Sequence, residues 1–440
     1  MKPILALNAF DMKAAAAGGV LEERLRERAS VFGSASVLFY ERPLEFVRSA
    51  GCWLYDAQGV AYLDAYNNVP SVGHCHPRVV AAISRQLAEI NVHTRYLHPH
   101  IIEFARELLA TVPERLSNVT FTCTGSEAND LALRQAAHFT GGDGIIVTQA
   151  AYHGNTARVS EVSPSSFTDW APPPHVRVVA APDVRLTSTA GLASSFASQV
   201  SEAIADLERH GHRFAALLID SIFSSDGVFA DPPGFLRDTV DAVHRAGGLF
   251  IADEVQPGFA RTGSAFWGFQ RHGVEPDIIT MGKPMGNGFP IAAVVTRPEI
   301  LDALCAKVGY FNTFAGSAVA AAAGRAVLQV IAEEGLMENA RSVGDHLKRG
   351  LKELAARHPE IAAVRGAGLY LGVELIQPAS GAPAPERASA IINALRSRQV
   401  LIGAAGRFGS VLKIRPPLCF SVAHADQLIG SLDEVLGEAQ

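Results

Sequence analysis

The chain has 440 residues, 38 of them lysine or arginine and 44 aspartate or glutamate, for a formal net charge of -6. That length exceeds one ordinary core and predicts two or three packed units, with room to bury an enzyme site. The charges are interspersed without long like-sign runs, so the sequence carries no electrostatic footprint for nucleic acid or an anionic membrane, and a small molecule is the expected partner.

At the N-terminus, the run MKPILALNAFDMK is broken by Asn8, Asp11 and Lys13 before it reaches the length of a signal-peptide core. No stretch is long and apolar enough to cross a bilayer. The five cysteines are odd in number and widely spaced, and none sits in a CxxC pair; the expectation is a reducing cytoplasm and no metal site. A polar helix is predicted over Leu21 to Ala29. It is followed by YERPLEFVRSAGCWLYDAQGVAYLD, where aromatic and β-branched residues around Asp56 and Gly59 predict a hairpin-like strand pair.

From Ser117 to Thr296 short apolar runs alternate with amphipathic stretches, the pattern of an α/β domain with a buried, mostly parallel sheet. The predicted strands are Val119 to Cys123, Ile145 to Thr148, Val176 to Ala180, Ala215 to Asp220, Leu249 to Asp253, Ile278 to Met281 and Ile291 to Thr296. Helical patterns cover Glu127 to His138, Ser198 to Arg209 and Phe235 to Arg245, the last stopped by Gly247-Gly248. A long helix is predicted from Ala318 to about Glu334. Helix and strand then alternate to the C-terminus around a Pro/Ala/Ser/Gly loop at Gln377 to Pro385. The expected division is a large domain over 71–330, with 1–70 and 331–440 forming the two halves of a small α+β domain.

Three segments carry chemistry. Thr124-Gly125-Ser126-Glu127 follows an apolar strand and opens a helix, whose unpaired N–H groups suit a phosphate; an ordinary helix cap has the same signature. Asp253 ends the run Phe250-Ile251-Ala252-Asp253, at the strand end where open α/β sheets bind ligands, although a solvated loop acid would look alike. Lys283 ends another strand and enters the glycine-rich turn MGKPMGNGFP, which leaves its amine facing a cleft, where a desolvated lysine forms Schiff bases; most lysines are surface groups. Together they are what pyridoxal 5'-phosphate requires: a lysine for the aldehyde, an acid for the pyridine nitrogen and a helix start for the phosphate.

TGSEAND, YHG at Tyr152 to Gly154, IADEVQPGFARTG, MGKPMGNGFP and NTFAGS at Asn312 to Ser317 resemble, in that order, the motifs of the class III (omega) aminotransferases. YNNVPSVGHCHP, RYLH and LKIRPPL extend the likeness over nearly the whole chain. The resemblance implies fold type I of the pyridoxal-phosphate enzymes. By it, Lys283 would be the Schiff-base lysine and proton shuttle, and Asp253 the partner of the pyridinium nitrogen. Gln256 would lie near the phenolic oxygen, Tyr152 on the ring face, and Gly125 and Ser126 on the phosphate. Thr313 would reach the phosphate in the neighbouring subunit of a homodimer.

Several of these segments are similar to a branch that holds both alanine–glyoxylate aminotransferase 2 and the ethanolamine-phosphate and phosphohydroxylysine phospho-lyases. Arg415 in LKIRPPL stands where aminotransferases of the family keep the guanidinium that grips an α-carboxylate, whereas the phospho-lyases tend to have lysine there. The expectation is therefore transamination between an amine or amino acid and a keto acid, with phosphate elimination from a phosphorylated amino alcohol as the alternative. The chain departs from the family pattern at Asp220, where a glutamate is common, at Phe223, where a glutamine is common, and at Thr124.

Overall fold

The computed structural model describes residues 3–11, 20–35, 37–185 and 187–438. Lys13, one of the residues that break the N-terminal apolar run, lies outside them. The first helix spans Val20–Phe32, longer than its polar pattern predicted. Strands β1 (Phe46–Ala50), β2 (Trp53–Asp56) and β3 (Ala61–Asp64) follow, paired antiparallel in order, so the expected hairpin is extended by one strand. Its turn is made by the residues the sequence marked. Asp56 Oδ1 accepts from the N–H groups of Gln58 and Val60, and Gly59 takes the left-handed φ of 84°.

The centre of the molecule is a seven-stranded sheet of β4 (Asn118–Thr122), β5 (Gly144–Thr148), β6 (Val176–Val179), β7 (Phe214–Ile219), β8 (Leu249–Asp253), β9 (Ile278–Met281) and β10 (Ala292–Thr296). The spatial order is β4-β10-β9-β8-β7-β5-β6. β10 runs antiparallel to both neighbours, and all other pairings are parallel. Every residue of β5, β7, β8, β9 and β10 is buried, which is why these strands read as unbroken apolar runs rather than as alternation. The helices Gly125–Thr140, Leu192–Arg209 and Arg237–Arg245 cover the sheet. The second starts six residues before its predicted Ser198, because Ser188 Oγ caps a tight turn that leads straight into it and Leu192 and Phe196 are buried.

After the helices Ala318–Glu333 and Leu336–Arg357, the chain adds β11 (Ile361–Ala367), β12 (Tyr370–Leu375), β13 (Val400–Leu401), β14 (Gly403–Ala405) and β15 (Val411–Ile414). Four of these form an antiparallel sheet in the order β11-β12-β15-β14. β13 instead joins the N-terminal sheet, pairing parallel with β3 through Val400 opposite Leu63 and Leu401 opposite Asp64. The two chain ends thus meet in one sheet. Arg415, just past β15, is fixed there by its N–H, which donates to Ala65 O at 2.9 Å.

Candidate active site

The site lies at the C-terminal ends of the parallel strands. At the end of β4, Thr124 caps the helix Gly125–Thr140: its Oγ1 accepts from Glu127 N at 3.1 Å, and Glu127 Oε2 accepts from Cys123 N and Thr124 N at 2.7 and 2.9 Å. The cap and the anion site coexist, because capping uses these donors and leaves the N–H groups of Gly125 and Ser126 without intrahelical partners. Glycine is needed for the close approach around them. A Cβ on Gly154, whose φ is 141°, would fall 2.5 Å from Ser126 Oγ, and one on Gly282 would fall 3.2 Å from Gly125 N.

At the end of β8 two adjacent acids part company. Asp253 Oδ2 accepts from His153 Nδ1 at 2.7 Å and Asn129 Nδ2 at 3.0 Å, and its Oδ1 from Val255 N at 3.1 Å. Asn129 is itself held, donating to His153 O at 2.7 Å and accepting from Thr280 Oγ1 at 2.6 Å. Glu254 points away and serves the fold. It accepts from Ser221 Oγ and from the N–H groups of Gly268 and Phe269, and burial pushes its carboxyl up to about 8.

The glycine-rich segment after β9 forms a single tight helical turn, Lys283–Gly286. Asn287 closes it with φ 50°, and its side chain receives Val72 N–H and donates to Gly73 O; Ser71 Oγ donates to Pro284 O. The N-terminal segment therefore clamps the turn that presents Lys283. Burial, then the nearby Arg415 guanidinium, lower the Lys283 amine from 10.5 to about 8, against the opposing pull of Asp253 and Asp220.

Gly125, Ser126, Tyr152, Asp253, Gln256 and Lys283 line one cavity of about 200 Å³, together with Thr124, His153, Gly154, Asp220 and Val255. Burial raises the Tyr152 hydroxyl above its ordinary value. Asp220 is held by the N–H groups of Ile222 and Ser224, and burial raises its carboxyl. Arg415 sits behind Gln256. Its Nη1 donates to Gln256 Oε1 and to Asn68 Oδ1, both at 2.8 Å, and its guanidinium lies 4.5 Å from the centre of the Tyr66 ring. Thr313 is not brought to this cavity; it is exposed beside Phe314, which is 76 % exposed.

Two features were not singled out from the sequence. His153 and Asn129 lie inside quoted motifs, but their grip on Asp253 joins residues far apart in the chain. Lys413 was overlooked although it alternates with Arg415, a spacing that places both on one face of a strand. It is buried, and burial together with Arg415 and Lys283 drives its amine well below its ordinary value. Asp220 pulls the other way on the Lys413 amine, and Arg415 Nε is buried without a hydrogen-bond partner.

The parts fit pyridoxal phosphate. Free helix-start N–H groups face a glycine-lined cradle, a fixed carboxylate sits opposite, and a desolvated lysine lies between. Residues 39–436 match the family model described as aminotransferase class-III. A Drosophila melanogaster protein named alanine–glyoxylate aminotransferase 2-like is 40% identical over 94% of this chain and 87% of its own length. A Caenorhabditis elegans protein named ethanolamine-phosphate phospho-lyase homolog 1 is 39% identical over 94% of this chain and 93% of its own. Among solved structures, a phospholyase from Arthrobacter in complex with phosphoethanolamine superposes with a TM-score of 0.91 at 43% identity, covering 95% of this chain and all of that one.

Proposed function

Because the chain belongs to the class-III aminotransferase family, we propose that it is a pyridoxal-phosphate enzyme that eliminates phosphate from a small phosphorylated amine such as ethanolamine phosphate or phosphohydroxylysine. The observation that carries this reading is a second basic side chain, Lys413, buried beside Arg415 and Lys283. An α-carboxylate has one charge, which a single guanidinium meets. A phosphate dianion calls for more: Arg415 has a buried Nε without a partner, and Lys413, held low by burial, would regain its proton as the phosphate arrives. The likeness to a phospholyase seen with phosphoethanolamine supports the same reading.

In this reading Gly125 and Ser126 hold the cofactor's phosphate, Tyr152 covers its ring, and Asp253 keeps the ring nitrogen protonated. Gln256 has its Oε1 occupied by Asn68 and Arg415, which leaves the amide nitrogen to donate to the phenolic oxygen. When bound, the cofactor supplies an electron sink for the pair left on the carbon that loses its proton. Lys283 Nζ carries the cofactor and takes that proton, a role suited to an amine lowered to about 8. Lys413 and Arg415 orient the substrate's phosphate and balance the charge it carries away.

Transamination is the second reading, supported by Arg415 as a carboxylate grip and by the relative named for that activity. Lys283 then returns the proton instead of letting the phosphate leave, and a keto acid is required. The aromatic cluster of half-buried His93 and exposed Tyr96 and Phe311, with Arg95 over Phe311 at 3.9 Å and with Leu97 and Phe314 exposed nearby, supports a homodimer that places Thr313 at the neighbour's site. The free thiols support a reducing compartment such as the cytoplasm. The deciding assay incubates the holoenzyme with phosphoethanolamine and phosphohydroxylysine and scores phosphate. Release without pyruvate, glyoxylate or 2-oxoglutarate is expected. Strict dependence on an acceptor, with keto acid formed from the donor and no free phosphate, would establish the transaminase instead.

A further inference from the structure

We propose that Cys52 and Cys419 are a redox site, a thiol pair that closes reversibly into a disulfide stapling the two ends of the chain together. Their sulfurs stand 3.5 Å apart. No exposed loop has to move to bring them there. Cys52 lies in the turn between β1 and β2, where its carbonyl accepts from Asp64 N at 2.8 Å. Cys419 follows Leu418, whose N–H donates to Ser71 O at 2.7 Å, while Asn339 Nδ2 donates to the carbonyls of Leu418 and Phe420 on either side of it. Both backbones are therefore held, and the thiols face each other because the fold sets them so. Gly73 leaves the room: a Cβ there would already lie 3.0 Å from Cys419 Sγ. A side-chain shift of about 1.5 Å brings the sulfurs to the bond length of roughly 2.05 Å.

The two thiols are not equivalent. Cys52 is 2% exposed, whereas Cys419 is only partly buried. The hydrogen bond between them lowers Cys419 and raises Cys52, so Cys419 is the more readily ionised of the two. Cys419 is thus the entry thiol. As a thiolate it attacks one sulfur of a small disulfide of the glutathione class, forming a mixed disulfide and expelling one thiolate. Cys52 then loses its proton and attacks Cys419 Sγ, expelling the second. Two protein thiols are oxidised and one small disulfide is reduced to two thiols, so electrons and atoms balance. Excess reductant runs the same steps backwards.

The test treats the holoenzyme with oxidised glutathione, alkylates the remaining thiols under denaturing conditions and maps the peptides by mass spectrometry. The expected result is a peptide linking Cys52 to Cys419, about 2 Da lighter than the sum of its two reduced, unalkylated peptides, and its disappearance on adding dithiothreitol. Cys52→Ser should instead accumulate glutathione on Cys419, and Cys75→Ser should leave the linked peptide unchanged. The proposal is overturned if Cys52 and Cys419 both remain alkylatable in the wild type while the exposed Cys75 and Cys305 are consumed, a result that does not depend on any variant folding.

Discussion

The two sides of the site solve opposite problems. On the strand-end wall Asp253 has both oxygens engaged, by His153, Asn129 and Val255, and Asn129 is in turn tied to Thr280. Only His153 Nε2 is left buried without a partner. On the other side, behind Gln256, Arg415 keeps a donor unspent and Lys413 is buried near it with its amine driven well below its ordinary value. A saturated wall keeps its geometry whether or not a ligand is present, as recognition of a permanent cofactor demands. A buried basic pair with an unspent donor is costly by itself and would be relieved when an anion arrives, as the proposed phosphate site would demand.

The largest expected effect breaks both sides' purpose at once. Lys283→Ala removes the amine that carries the cofactor and moves the proton, and turnover should fall by at least about 10⁴-fold in a protein that still folds; steady-state assay with circular dichroism checks it. Asp253→Asn is next. It keeps size but removes the charge of the saturated wall, and kcat should fall by about 10² to 10⁴-fold while cofactor is retained, measured by absorbance after dialysis. If kcat is unchanged, the fixed wall is not what activates the ring.

Arg415→Ala attacks the other side and also strands Asn68 and Gln256. A loss of about 2 to 5 kcal/mol in kcat/KM for the anionic substrate is expected, with a lower melting temperature. Lys413→Met sharpens the contrast, because it removes a buried amine whose charged form is opposed by burial and by Arg415 and Lys283. Its kcat/KM should drop by about 10 to 100-fold while thermal stability rises; loss of both together would show that Lys413 is structural. The smallest effect is in pH. The folded Lys283 amine sits near 8 against an ordinary 10.5, so its stabilising contribution is complete above pH 10.5 and lost as pH falls through 8. Cofactor-free enzyme should therefore gain stability in urea between pH 8 and 10.5, and Lys283→Met should flatten that rise.

How much of this was legible in the sequence follows the range of the interactions. β8 and β9 were placed to the residue, because full burial leaves an apolar run with sharp polar ends. That Gly125, Ser126, Asp253 and Lys283 sit at a helix start and strand ends around one cavity was legible too, since local chain geometry dictates where such side chains go. The helix from Leu192 was clipped because its first turn, LASSFA, hides two buried residues among small polar ones. Lys413 was missed for a different reason. A lysine in a strand reads as solvated, and only the pairing of β15 between β12 and β14 encloses it. Asp253 meets His153 and Asn129 from 100 and 124 positions away, and no periodicity reports such contacts.

The parallel pairing of β13 with β3 also sets a timetable for biosynthesis. Asp64 leaves the ribosome long before Leu401, its partner in that pairing, has been translated. At roughly 5 to 20 residues per second the wait is on the order of 20 to 70 s. During that interval the N-terminal hairpin exposes an unpaired edge, and the Ser71 to Gly73 segment that will clamp the Lys283 turn has nothing to hold until the central strands emerge. The nascent chain thus depends on its last hundred residues to close its first sheet, and shielding of that edge by a ribosome-associated chaperone should matter more for yield than any feature of the finished enzyme.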